Sequence, residues 1–159
     1  MASPILCGAA AGAAGTTALN AVTYLDMALR GRPASSTPEQ TVDRLARLVG
    51  VRVPGEGKQR EARLSAIGAL LGVLTGTGVG AAYGIARSLG WRPSVATGAL
   101  ATGLVAMAGA NAPMAALGVS DPRTWSFADW VSDIAPHLAF GIVTAATCAA
   151  TSRPAEETP

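Results

Sequence analysis

Four stretches of this sequence carry no charged residue: Met1 to Leu25, Leu64 to Ala86, Pro93 to Ser120 and Ile134 to Ser152. About 20 helical residues cross the hydrocarbon of a bilayer, so each stretch is long enough to span one. The chain of 159 residues is 50% hydrophobic and only 14% charged, against about 25% charged in ordinary soluble domains. A soluble fold would have to bury four such helices, and there are few amphipathic stretches to cover them. The apolar residues are mostly Ala and Gly rather than Leu, Ile and Phe, so each span is only moderately hydrophobic. The expected fold is all-α: an integral membrane bundle of four transmembrane helices over residues 4–27, 64–87, 93–118 and 129–151, in one domain covering 1–151. The polar residues 152–159 are expected to form a disordered tail.

The connections carry their own signals. Asp26, Arg30, Gly31, Arg32 and Pro33 end the first span. In the 28–63 connection, Thr37-Pro38-Glu39-Gln40 offers an N-cap threonine, proline at the first helical position and glutamine at the third. Val42, Leu45, Ala46, Leu48 and Val49 then share a face opposite Asp43, Arg44 and Arg47. This predicts a short amphipathic helix over 38–49 that lies on the membrane surface or caps the bundle. Residues 51–60, with Pro54, Gly55 and Gly57, read as loop. The short turn 88–93 makes the second and third spans antiparallel neighbours. Asn111 and Pro113 should disturb the end of the third span, and Ser126 and Asp129 should cap the fourth.

Trp91, Trp125, Trp130, Tyr24 and Tyr83 all fall near predicted span ends, as an interfacial aromatic belt requires. Of the 12 Lys and Arg residues, nine lie on the face shared by the 28–63 and 119–127 connections and three on the other. The positive-inside rule then puts the long connection in the cytoplasm of a plasma-membrane protein and both termini outside. The apolar run at the start has no basic segment before it and continues to Tyr24, so it reads as a retained helix rather than a cleaved signal.

The second span contains Gly68, Gly72, Gly76, Gly80 and Gly84, four apart without a break. Such residues share one helix face and leave a groove free of side chains. In lipid, close backbone approach through small residues drives helix association. The groove of this glycine zipper either packs the chain's own bundle, or faces a second subunit or lines a conduit. The other spans carry weaker stripes: Gly8, Gly12 and Thr16; Gly98, Thr102 and Ala106; Gly141, Ala145 and Ala149.

Ionisable groups inside a membrane are costly and often functional. Asp129, Asp133 and His137 are four apart on the fourth span, and His137 is the only histidine. A carboxylate one turn from an imidazole can fix its tautomer for proton relay or metal binding. The competing reading is an interfacial pair that caps the helix and satisfies itself. Asn20, Tyr24 and Asp26 on the first span and Asn111 on the third fall at the same end as Asp133 and His137. Polar groups therefore gather at one mouth of the bundle, where a vestibule or binding pocket is expected. No polar path crosses the whole membrane, which argues against a conventional channel.

Other chemistry is scarce. The net charge of +2, with no basic patch interleaved with aromatics, implies no nucleic-acid partner. Cys7 and Cys148 are the only cysteines, too few for a disulfide framework or zinc spacing. P-loop, GxGxxG, HExxH, GxSxG and CxxC motifs are absent, so no cofactor and no enzymatic activity are expected. The partners implied are the lipid bilayer and either a second copy or another membrane protein.

Three segments resemble the YagU-like group of small bacterial inner-membrane proteins. They are the first span running into its turn (GAAGTTALNAVTYLDMALRGRP), the Gly-rich central helix, and DWVSDIAPHLAFG, whose acidic-then-histidine pattern falls on Asp133 and His137. The resemblance implies an inner-membrane helical protein with no settled biochemical role. Two functional classes follow: a non-enzymatic scaffold, accessory or oligomerising protein packed through the glycine face, or a small transporter or proton-handling protein using Asp133 and His137.

Overall fold

Two glycine faces set the geometry of this molecule. The computed structural model describes residues 3–151, and the expected tail at 152–159 lies outside them. Five α-helices run in chain order: α1 Pro4–Arg30, α2 Thr37–Leu48, α3 Gly57–Ser88, α4 Val95–Ala116 and α5 Phe127–Thr151. A single 3-10 turn, Pro122–Thr124, lies between α4 and α5. Helices α1, α3, α4 and α5 are each long and apolar enough to cross a membrane. The short helix stands between the first two spans, as its sequence predicts.

The four long helices form a ring in the order α1, α3, α4, α5, each antiparallel to its neighbours. Along α1 and α3 the two backbones touch. A Cβ on Gly8 would lie 2.9 Å from Gly84 Cα, and one on Gly12 would lie 3.0 Å from Gly80 Cα. Gly141 and Gly103 do the same for α5 and α4. With lipid as apolar as any side chain, such close packing supplies the association that water exclusion would supply elsewhere.

Phe140 and Thr144 are fully buried, beside Ala11 and Ala145. Most large apolar residues, among them Leu70, Leu74, Leu100, Leu104 and Ile142, face outward. A centre of small residues inside an apolar exterior is the arrangement of a chain dissolved in hydrocarbon, and the protein is a multi-pass membrane protein.

Several boundaries differ from those expected. α3 starts at Gly57, seven residues before the apolar run that begins at Leu64. Hydropathy marks where a span enters lipid, whereas Lys58, Gln59, Arg60, Glu61 and Ala62 are good helix formers that extend the same helix into the polar layer. α1 likewise continues to Arg30 and stops at Gly31, whose φ of 63° is left-handed. α2 begins one residue early, with Ser36 at its N-cap and the Gln40 amide donating to Ser36 Oγ at 3.0 Å. α4 keeps its helix through Asn111 and Pro113 to Ala116, and it starts at Val95 because Ser94 Oγ accepts the Thr97 N–H. α5 starts at Phe127, where Ser126 and Asp129 accept each other's backbone N–H groups in a capping box.

Two packing expectations also change. α3 and α4 are antiparallel neighbours, but their shared face is the thinnest of the four, because the glycine face of α3 is turned to α1. Tyr83 is buried rather than interfacial. Its ring lies against the position of Gly98, and Trp91 packs edge-on at 5.8 Å.

Candidate functional site

The polar residues of the spans gather at the end of the bundle that carries α2. Neighbouring positions on α5 reach different helices there, because consecutive residues point about 100° apart around the axis. Ser132 faces α1 and Asp133 faces α4.

On the α1 side, Asp26 Oδ2 accepts from Arg30 Nη2 and from Arg32 Nε, both at 2.7 Å. Ser132 Oγ lies 3.5 Å from the same oxygen and accepts a hydrogen bond from Arg30. The resulting clamp ties the end of α1 to the first turns of α5.

On the α4 side, Asn111 Nδ2 donates to Asp133 Oδ2 at 2.7 Å. His137 Nδ1 lies 2.7 Å from the Asp133 carbonyl oxygen and 3.4 Å from Asp133 Oδ1. The side chains of His137 and Asp133 are 13% and 18% exposed. A carbonyl only accepts, so Nδ1 carries the ring proton, and Nε2 of the neutral ring is left with its lone pair. Asn111 Oδ1 is buried with no hydrogen-bond partner among the described residues.

Backbone features bring these groups within reach. A Cβ on Gly103 would lie 2.8 Å from the His137 carbonyl oxygen, so only glycine lets α4 come this close to α5. Two turns further along α4 stands Asn111. Pro136, buried inside α5, has no N–H to give the Ser132 carbonyl, which loosens the helix beside His137.

Of the residues expected at the mouth, Asn111, Asp133 and His137 therefore meet, and Asp26 joins the adjacent clamp. Asp129 is occupied in the helix cap. Asn20 and Tyr24 face outward on α1, away from both clusters, and the Asn20 side chain has no hydrogen bond among the described residues. Sequence reasoning missed Ser132, Arg30 and Arg32 as partners. Ser132 was findable, since the residue beside Asp133 must face the other neighbouring helix.

The five glycines of α3 have three different surroundings. Gly76, Gly80 and Gly84 lie against α1, Gly68 is covered by Pro38 of α2, and Gly72 has open space beside it. A concavity of about 600 Å³ opens on the α4–α5 connection, lined by Ala115, Ser120, Asp121 and Arg123 among others. None of the clustered polar residues lines it, so it is not the expected vestibule. Among the described residues no group of three or more His, Cys, Asp or Glu comes together. No protein-family model, curated protein or solved structure matches the chain.

Proposed function

We propose that this is a non-enzymatic, proton-handling membrane protein whose working element is the Asn111–Asp133–His137 cluster. One observation carries the reading: an imidazole and a carboxylate one turn apart on α5 are both mostly shielded, and the carboxylate is held by a hydrogen bond from Asn111 on α4, at the end of a largely apolar bundle. Ionisable groups within a span are costly, about 2.5–3.5 kcal/mol or more at the bilayer centre and less towards the headgroups. Retaining them is best explained by use. His137 Nε2 takes the proton, the Asp133 carboxylate offsets the imidazolium charge, and Asn111 holds that carboxylate in place.

Beyond this cluster the interior is closed by Phe140 and Thr144. Proton movement across the bundle would need the helices to part, which favours a coupled transporter or sensor over an open channel. Placing this mouth on the cytoplasmic side of a plasma membrane, by the positive-inside bias, belongs to the same proposal, as does kinship with the YagU-like group. The glycine zipper serves in it as an internal spine for α1. The test is dye-reported proton flux in proteoliposomes. His137→Ala and Asp133→Asn should abolish a pH-dependent flux while leaving helix content unchanged; equal flux in wild type and His137→Ala sinks the reading.

The second reading is a scaffold or accessory subunit, and Asn20 favours it. A side-chain amide without a partner on the lipid-facing side of α1 is best satisfied by another helix. Under this reading Asn20→Cys should crosslink between copies or to a partner in native membranes, and Asn20→Leu should weaken that association.

A further inference from the structure

The 37–52 segment presents an arrangement the bundle does not use. Val42 of α2 is buried at 4% exposure, but Leu48 and Val49 are 72% and 73% exposed, and Leu45 and Val51 are also uncovered. The acidic side chains of α2 turn the other way. Asp43 pairs with Arg47 and with Arg60 of α3, and Glu39 has one carboxylate oxygen fully buried. Arg44, Arg47 and Arg52 remain exposed. The outer surface is therefore apolar and cationic, while the acids face inward.

The depth of this surface can be read from α3. Pro38 covers Gly68, one turn inside the apolar run that begins at Leu64, and Asp43 bonds Arg60, one turn outside it. Eight residues of helix separate those levels, about 12 Å at 1.5 Å per residue. That interval brackets the boundary between headgroups and acyl chains. Only five residues of α2 cover that interval, so the helix rises along α3 from the acyl boundary into the headgroups, where its exposed face of Leu and Arg matches the chemistry of an anionic leaflet.

We propose that α2 and the following residues to Arg52 form a binding surface for anionic phospholipids. Leu45, the exposed apolar residue nearest the buried Val42, meets the acyl boundary, and Arg44, Arg47 and Arg52 take the headgroup phosphates. The occupant is lipid of the same bilayer rather than a second protein, because charge and depth both match the headgroup layer.

The chain, with Cys7→Ala and Cys148→Ala, can carry a nitroxide on Leu45→Cys and be reconstituted in phosphatidylcholine, alone or mixed with phosphatidylglycerol. In the mixed vesicles the label should be reached by oxygen more than by a water-soluble nickel relaxant. In a parallel experiment, Arg44→Gln/Arg47→Gln/Arg52→Gln should lose most of the phosphatidylglycerol that copurifies with the wild type. The triple lysine variant should keep it, which separates charge from folding. A label equally open to the nickel relaxant in both vesicles overturns the proposal. So does one shielded from both relaxants, the mark of a covering protein, and so does phosphatidylglycerol retention that the glutamine variant leaves unchanged.

Discussion

Asn111 on α4 donates from Nδ2 to Asp133 Oδ2 on α5 at 2.7 Å, the one side-chain hydrogen bond between those helices near the mouth among the described residues. The other oxygen of that carboxylate, Oδ1, lies 3.4 Å from His137 Nδ1. Hydrogen bonds to charged groups contribute about 1.5–3 kcal/mol, and more is lost when a shielded carboxylate is stranded. Asn111→Ala should therefore cost at least about 1.5 kcal/mol in reversible unfolding from mixed micelles. Asn111→Asp would place two carboxylates together and should cost more. A loss near zero for Asn111→Ala would mean the cluster is open to water.

The glycines of α3 predict a contrast that hydropathy cannot. A Cβ on Gly80 would lie 2.5 Å from Gly12 Cα and 2.6 Å from Gly12 N, backbone atoms with no rotamer to yield. Gly80→Ala should push α1 off α3, costing about 1–3 kcal/mol or more as overpacking does. Gly72, with open space beside it, should accept alanine within about 1 kcal/mol either way. Thermal melts of the two variants in one detergent make the comparison. Equal losses would contradict the α1–α3 packing.

The four spans were legible because charge is excluded from lipid, and 23 consecutive residues without a charge, such as Leu64 to Ala86, have few other common uses. The periodicity of α3's glycines marked a bare face, but not whether the chain's own bundle, a second subunit or a conduit meets it. A glycine face has no side chain to encode its partner, and the stripe on α1 became its partner only in three dimensions. At the site, the four-residue spacing placed Asp133 and His137 together, and hydropathy placed Asn111 at their level. Rotation about each helix axis was not encoded so plainly. Asn20 shares its end of the bundle with the cluster yet points outward, while Ser132, unremarked in sequence, reaches Asp26. The first turn of α3, residues 57–60, reads as loop in the sequence because span limits follow charge, whereas helix limits follow propensity.

Outside the membrane, Asp43 gives a pH-dependent contact. The Arg47 guanidinium, then that of Arg60, holds its carboxyl below the ordinary value of 3.8. A carboxyl lowered in the folded state stabilises fully above the unfolded value, and that stabilisation is lost as pH falls through the lowered one. Docking of α2 on α3 should be intact at neutral pH and released only in acid, below the ordinary carboxyl value of 3.8. Asp43→Asn should release it at every pH. Protease cleavage in the 49–56 connection of reconstituted protein reports the change. Resistance in Asp43→Asn equal to wild type at neutral pH would show that Val42 alone holds the helix.

The α1 clamp should be weaker than the α4 contact, although it contains more ion pairs. Arg30 is 41% exposed on its side chain and Arg32 27%, so both can regain water if Asp26 is removed. Both also sit at the C-terminal end of α1, where the helix dipole favours cations with or without a partner. Exposed pairs are screened and contribute little. Asp133, the group that Asn111→Ala would strand, has less escape, since its side chain is only 18% exposed. Asp26→Asn should therefore destabilise the bundle less than Asn111→Ala, and high salt should shrink its effect while leaving that of Asn111→Ala nearly unchanged. Unfolding of both variants at two ionic strengths decides the order. A larger, salt-resistant loss for Asp26→Asn would make the α1–α5 clamp, rather than the α4–α5 contact, the structural centre of the mouth.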